Sequence, residues 1–362
     1  MQNLLKIPLF LIPYHKIGGA EKVHLEIIKS LPSKPVVFFY NLSDGAITEE
    51  FGKHAHCFYI DSPKRKRALY LGLTFLSNFY RPIFFGCNSY LYYELICKLK
   101  NRTFNIDLTH AFCFPEKGIE TATVDVAQYL HKRLVINERT LQDYKKLYEM
   151  NGVDPQLINR IEIIPNGVDI KDFDHNTVQK RFHNFTIGFV GRNSYEKRPE
   201  VFFQCVQNLQ MQNIESIVIG NDFTEFKNAF PNVKYFENSN DPTFVRNAFQ
   251  NIGVLIISSY REGFPLVIME AMELGIPVIA TPVGSISDHV INGVNGYVAP
   301  DVDASSFVTY ATDKITALQN DEVLYNTLCT NAREYAVKHF DIAVFREKYR
   351  RVFKSYLSFY KK

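Results

Sequence analysis

The sequence predicts an α/β protein of two doubly wound halves, each a parallel sheet covered by helices. Three observations carry this. A chain of 362 residues exceeds the roughly 250 residues at which single hydrophobic cores stop growing. Its apolar runs are short and continuous rather than alternating, as in strands buried on both faces. Helix-length segments with short connections stand between them, the β-α-β-α pattern of an open parallel sheet. With 46% hydrophobic and 22% charged residues, disorder, collagen and coiled coil are excluded.

Taken in order, KIPLFLIP (6–13) reads as the first strand. Two prolines, the lack of a basic leader and the lack of a small-residue cleavage site argue against a signal peptide. The helix AEKVHLEIIKSL (20–31) and the strand PVVFFY (35–40) follow. Residues 69–99 are strongly apolar, but Asn78, Arg81, Asn88 and Glu94 interrupt them, and no run approaches the ~18 apolar residues of a membrane span. DLTHAF (107–112) and RLVIN (133–137) read as strands, and IEIIPNGVDIKDF (161–173) leads into the second half. There TIGFVG (186–191), SIVIG (216–220), VKYF (233–236), VLIISS (254–259) and PVIAT (277–281) are strands, separated by helical patterns over 199–210, 224–230, 242–250 and 266–275. The expected organisation is an N-terminal Rossmann-like domain over 1–180, a C-terminal one over 181–340, and a basic amphipathic helix over 341–362 that packs back on the first. Ligands of such sheets sit beyond the strand carboxyl ends, so two facing sheets predict an interdomain cleft.

The net charge of +3 argues against a dedicated nucleic-acid binder. It hides an asymmetry: residues 1–182 carry +5 and residues 183–362 carry −2. The cysteines at 57, 87, 97, 113, 205 and 329 show no CxxC spacing and read as reduced thiols of a cytoplasmic protein rather than a disulfide or zinc framework.

The densest chemical signal is SSYREGFPLVIMEAMELGIPVIATPVG (258–284). A buried strand ends near Ser259, a loop carries Glu262, and a helix opens near Leu266. Gly263 permits close backbone approach to a ligand, and Pro265 suits a helix start. The N–H groups of Leu266, Val267 and Ile268 then form an anion site at the helix N-terminus. Glu270 lies one turn further in, so two carboxylates flank that site and can accept hydrogen bonds from sugar hydroxyls. Taken alone, the pattern fits an ordinary surface helix with solvated glutamates equally well. A second element, GFVGRNSYEKRPE (188–200), sets Arg192 and Lys197 in a strand-to-helix loop, where cations neutralise a diphosphate or are simply solvated. The third, KIGGAEKV (16–23), gives Gly18 and Gly19 before a helix, for close approach to phosphate or sugar or as a plain left-handed turn.

Glu262-x7-Glu270 within EGFPLVIMEAM, followed by GIPVIATPVGSISDHVINGVNGYV, resembles the retaining, family 4 glycosyltransferases of the GT-B fold. IIPNGVD (163–169), GFVGR…EK (188–197) and IGGAEKV (17–23) match three further stations in the family's order, and the likeness spans about residues 10 to 345. The resemblance implies that Arg192, Lys197 and the amides around Leu266 and Val267 bind the donor diphosphate. Glu270 would bind the nucleotide ribose, Glu262 with the amides of Gly263 and Phe264 the donor sugar, and Gly18 and Gly19 would approach the donor from the other domain. Asn166 to Asp169 would mark the interdomain connection.

One station departs. Many relatives carry HxH after a first-domain strand; here it reads His110-Ala-Phe112, so His110 stands between a catalytic role and a simple strand end. Asn137-Glu138-Arg139 partly echoes a stretch found in a subgroup with Phe at this place, which makes Glu138 and Arg139 candidates for the sugar or acceptor site. The implied chemistry is transfer from a nucleotide sugar with retention, by front-face attack and without a metal. Two DxD triplets, Asp172-Phe-Asp174 and Asp301-Val-Asp303, read as surface rather than metal ligands. Lys64, Arg65, Lys66, Arg67, Arg81, Lys98, Lys100 and Arg102 stand against one acid, Glu94, within 63–102. That suits contact with an anionic membrane and a lipid-linked saccharide acceptor, in lipopolysaccharide or capsule assembly at the cytoplasmic face of the inner membrane. An epimerase-like nucleotide-sugar enzyme and a non-catalytic sugar-nucleotide-binding subunit are the competing readings.

Overall fold

The computed structural model describes residues 7–357 except 17, 42–44, 88, 114–117, 213, 238 and 240. The chain forms two compact units, Met1–Asn166 with Ala343–Lys362, and Gly167–Ile342.

The first unit is built on β1 (Leu9–Ile12), β2 (Val36–Phe39), β3 (His56–Tyr59), β4 (Ile83–Cys87), β5 (Phe104–Thr109), β6 (Lys132–Val135) and β7 (Ile161–Ile163). Its sheet runs β3-β2-β1-β4-β5-β6-β7, with every pair parallel. The second holds β8 (Thr186–Val190), β9 (Glu215–Ile219), β10 (Lys234–Phe236), β11 (Val254–Ile257), β12 (Val278–Ala280) and β13 (Gly296–Val298) in the order β10-β9-β8-β11-β12-β13, again parallel. The order reverses between β1 and β4 in one sheet and between β8 and β11 in the other. At such a switch point the flanking loops diverge and open a crevice at the strand carboxyl ends.

The strands expected in the second half form where their apolar runs lie. The first half differs more. PIFFGC becomes β4, five buried residues, because its aromatic run divides into a strand and the helix Tyr90–Leu99 capped by Ser89. Gly86 makes room for the ring of Tyr92, which a Cβ there would meet at 2.3 Å. The Tyr92 hydroxyl in turn donates to the carbonyls of Phe84 (3.1 Å) and Ile106 (2.7 Å). DLTHAF is displaced: β5 starts at Phe104 and ends at Thr109, opposite Val135 at the end of β6. His110 and Phe112 therefore lie in the loop beyond the strand.

The units divide at 166 rather than 180. Residues 167–180 go with the second unit because the helix His175–His183 buries Val178 among Phe185, Ile187 and Tyr325. Its Arg181 donates to the carbonyls of Leu274 (2.9 Å) and Gly275 (3.3 Å). At the crossing, Val168 N–H donates to Phe340 O (2.8 Å) and Ile342 N–H to Val168 O (3.0 Å). The backbones lie close there: a Cβ on Gly167 would stand 3.0 Å from Ile342 Cα.

The terminal helix Ile342–Leu357 belongs to the first unit from Ala343 onward; residues 358–362 lie outside the described residues. Arg346 Nε donates to Glu26 (3.0 Å), Arg350 Nε to Ser30 O (3.0 Å), and Phe353 covers Phe10 and Phe85 at 5.8 and 5.9 Å between ring centroids.

Each unit also encloses a buried carboxylate network. In the first, Asp107 on β5 receives the Arg133 guanidinium from β6 (Nη2 at 2.7 Å) and the Tyr93 hydroxyl (3.0 Å), and Arg133 donates onward to Tyr148 (2.8 Å). In the second, Glu273 receives Arg246 (2.6 Å), Arg333 (3.0 Å) and the backbone N–H of Lys171 (3.0 Å).

Candidate functional site

In the second unit the loop after β8 (191–198) and the loop after β11 (258–265) are those that flank the switch point. Both predicted motifs sit on them, and their side chains meet. Lys197 Nζ donates to Glu262 Oε1 at 2.5 Å, and Ser259 Oγ donates to the same oxygen at 2.7 Å. The ion pair is largely shielded, with Lys197 22% and Glu262 11% exposed, so its field is less screened than that of a surface pair.

The two loops are tied by short bonds. Ser258 Oγ donates to the carbonyls of Lys197 (3.1 Å) and Arg198 (2.9 Å), and Tyr260 N–H to Glu196 O (2.7 Å). Arg261 pairs with Glu196. Arg198 is held in the left-handed region at φ 47°, a conformation costly for a side chain with a Cβ. Its guanidinium offsets that cost by donating to Ser258 O (2.6 Å) and Val302 O (2.7 Å). Behind the Glu262 loop, Ser285 N–H donates to Gly263 O (2.9 Å) and Thr281 Oγ1 to Ser259 O (2.6 Å). Gly284 turns there at φ +60°, and a Cβ would come within 2.3 Å of Gly263 O.

The helix Leu266–Glu273 opens at the same edge with Pro265 as its cap. Of the three amides expected to be available, Ile268 N–H closes the first turn onto Pro265 O (3.1 Å). Those of Leu266 and Val267 have no intrahelical acceptor. Glu270 is half-buried one turn in, and Arg192 is exposed in its loop. The Phe264 ring is buried against His289 (4.4 Å) and Phe340 (5.5 Å), which fixes the backbone beside Gly263. Arg192, the Lys197–Glu262 pair, the helix N-terminus at Leu266 and Glu270 thus lie on the two loops and the helix that flank the switch point.

The first unit brings its predicted residues to one sheet edge, with different chemistry. Gly18 caps the helix Gly19–Lys29 in extended geometry, φ −166°, not in a left-handed turn. The space a side chain would take is filled from within: a Cβ on Gly18 would lie 2.2 Å from the Glu21 carboxylate, and Glu21 is itself buried. Ile17 of the same motif is outside the described residues, and Gly19 is exposed.

His110 follows β5, and its Nε2 lies 3.4 Å from Nε2 of His24, the rings crossing at 83°. Burial pushes the His110 imidazole down to about 4, and burial with the neighbouring ring pushes His24 well below the usual histidine range. Both are therefore uncharged near neutrality. His24 Nδ1 is buried without a hydrogen-bond partner among the described residues. One imidazole donates to the other across the Nε2–Nε2 contact, the direction being set by their tautomers. Phe112, in the second histidine slot, packs against Tyr144 at 4.7 Å. Glu138 and Arg139 are exposed in the first turn of the helix Glu138–Met150, which Asn137 caps through Thr140 N–H (2.8 Å).

Sequence reasoning missed Glu21, His24 and Glu273. The first two carried a signal: Glu21, His24 and Ile28 share one helix face by spacing, so the polar pair was bound for the interior. Both DxD triplets are helix caps. Asp174 receives Asn176 N–H (2.9 Å), and Asp303 receives Ser306 N–H (2.9 Å). Among the described residues no group of three or more His, Cys, Asp or Glu side chains is arranged to hold a metal, and no helix is long and apolar enough to cross a membrane.

Residues 171–338 match the family model described as glycosyl transferases group 1. The chain is 30% identical over 210 residues to the capsular polysaccharide biosynthesis glycosyltransferase CapM of Staphylococcus aureus, covering 53% of each chain. It is 27% identical over 217 residues to the UDP-Gal:alpha-D-GlcNAc-diphosphoundecaprenol alpha-1,3-galactosyltransferase of Escherichia coli, covering 55% of this chain and 53% of that one. The chain thus spans about half the length of the curated relatives it matches. HepE of Anabaena, solved in complex with UDP-glucose, superposes with a TM-score of 0.77 at 20% identity, over 96% of this chain and 99% of that one. The chain has the GT-B fold of two parallel α/β sheets, and within it residues 171–338 match the glycosyl transferases group 1 family.

Proposed function

We propose that the protein is a retaining glycosyltransferase that moves a hexose-type sugar from a nucleotide-sugar donor to a saccharide or lipid-linked saccharide acceptor, in the assembly of bacterial lipopolysaccharide or capsule. The observation that carries this reading is the Lys197–Glu262 contact at the switch point, beside the open amides of Leu266 and Val267. The names of two relatives support that class of acceptor: one is a capsular polysaccharide biosynthesis glycosyltransferase, and another acts on a diphosphoundecaprenol-linked sugar. Among the described residues the six cysteines form no disulfide, which suits a reducing cytoplasm.

In this reading the acceptor hydroxyl attacks the anomeric carbon on the face from which the diphosphate departs. The bond from that carbon to the phosphate oxygen breaks, and the hydroxyl proton passes to the departing phosphate. Negative charge grows on the diphosphate, and Arg192, Lys197 and the two amides stabilise it without a metal ion. Glu270 accepts from the nucleotide ribose and Glu262 from the donor sugar.

A thermal-shift series with UDP-, GDP- and ADP-sugars tests the donor. A ligand at a hundred times its dissociation constant adds about 2.7 kcal/mol to stability, so one series should raise the midpoint. Glu270→Ala should weaken that donor by roughly tenfold or more, the worth of a hydrogen bond to a charged group. No shift with any nucleotide sugar, or unaltered affinity in Glu270→Ala, would overturn the assignment.

A further inference from the structure

The helix Pro63–Leu76 turns its apolar residues in two directions. Leu69 and Leu73 are buried in the first unit. At about 100° per residue, the opposite face is centred on Leu71 and carries Lys64, Arg67, Ala68 and Phe75. Leu71 is 56% exposed and Phe75 62%, and Phe79, 70% exposed just past the helix, meets the Phe75 ring at 5.0 Å. Core packing accounts for none of these three. The same helix begins with Lys64, Arg65, Lys66 and Arg67 and has no acid in its first turn. Cations at that end oppose the helix dipole and cost stability. Arg65 is partly compensated by Asp61 at 2.8 Å, and no acidic residue occurs from 63 to 80.

The rest of the basic 63–102 stretch does not share this face. The helix Tyr90–Leu99 buries Tyr92, Tyr93, Leu95, Ile96 and Leu99, Lys98 pairs with Glu94, and Arg81 Nε donates to Thr103 O (3.3 Å). Three large apolar side chains are too few for a stable protein interface, which needs roughly 800 Å² per partner. They suit insertion at the headgroup–acyl boundary, with cations at the phosphates.

We propose that the outward face of Pro63–Leu76 with Phe79 docks the protein on an anionic lipid bilayer, with Leu71, Phe75 and Phe79 entering the interface and Lys64 and Arg67 meeting lipid phosphates. This extends the reading of a lipid-linked acceptor. Its test uses neither donor nor acceptor, so the two stand or fall separately.

The chain has no tryptophan, so Phe75→Trp creates a single reporter at the centre of the face. Its emission should shift to the blue with phosphatidylcholine vesicles containing a third of phosphatidylglycerol, and not with pure phosphatidylcholine. In co-sedimentation of the full chain, Lys64→Gln with Arg67→Gln should lower partitioning into the anionic vesicles by roughly twenty-five-fold, at about a factor of five per cation. Phe75→Ser with Phe79→Ser should lower it by at least about tenfold. All four positions face solvent, and circular dichroism of the variants checks the fold. Unshifted emission, equal partitioning into neutral vesicles, or partitioning unaffected by either double variant would overturn the proposal. So would an oligomer that dissociates on Phe75→Ser in the absence of vesicles, which would mark the face as a contact between copies of this chain.

Discussion

The two units repeat one topology and arm it differently. Beside the switch point of the second sheet stand Arg192, the Lys197–Glu262 pair and an open helix N-terminus. The carboxyl edge of the first sheet presents the uncharged His24–His110 pair, and Glu21 lies buried against the Gly18 backbone. A shared scaffold thus carries charged side chains on the loops of one sheet and an uncharged histidine pair beside the other. The buried carboxylate networks show the reverse: Asp107 and Glu273 are the same device, an acid clasped by arginine, set in both units for cohesion.

That contrast can be broken at four points. The largest effect should come from Asp107→Asn, which leaves Arg133 buried beside a neutral amide. Breaking one side of such a pair costs about 3–5 kcal/mol, to be read as a lowered denaturation midpoint by urea titration. Next, Lys197→Met should lower turnover by about 10²–10³, as loss of one preorganised charge-stabilising donor does; single-turnover kinetics at saturating donor measure it.

The histidine pair gives a smaller, pH-dependent effect. The unfolded chain takes up protons near pH 6.5, whereas folded His110 resists them until about 4. Between those values the unfolded state binds more protons. The His110 contribution should therefore fall as pH drops from 6.5 towards 4 and level off below that, with His24 lowering stability in the same direction. His110→Asn should flatten that slope in urea titrations at stepped pH. The smallest effect belongs to Asp303→Ala, which removes a cap from the helix Ala304–Asn320. It should lower the thermal midpoint slightly and leave donor affinity and turnover unchanged, as a cap and not a metal ligand.

Legibility followed the same division. In the second unit, continuous apolar strands and the Glu262–Glu270 spacing are local features, so β8, β9 and β11 and their loops could be read in sequence. In the first, β3 is an edge strand with Phe58 and Tyr59 exposed, so its pattern resembles neither a buried strand nor a half-buried one. β4 was hidden because strand and helix share one aromatic run, and only the packing of Tyr92 on Gly86 separates them. The pairs Asp107–Arg133 and Arg246–Glu273 leave no periodic trace, since each joins residues 26 or more apart. Of the alternatives for Gly18 the left-handed turn is not adopted, since φ is −166° and the space a Cβ would take is filled by the chain's own Glu21.

The return of the terminal helix to the first unit bears on how the chain is made. Residues 167–342 leave the ribosome as one continuous stretch and can close their core at once. The unit synthesised first completes its packing only when Arg346 and Phe353 emerge, since Phe353 covers Phe10 and Phe85 and Arg346 joins Lys29 on Glu26. The exposed nascent surface lies on the first unit, where a holding chaperone would act. A premature stop before residue 343 would leave the second unit whole and the first one open.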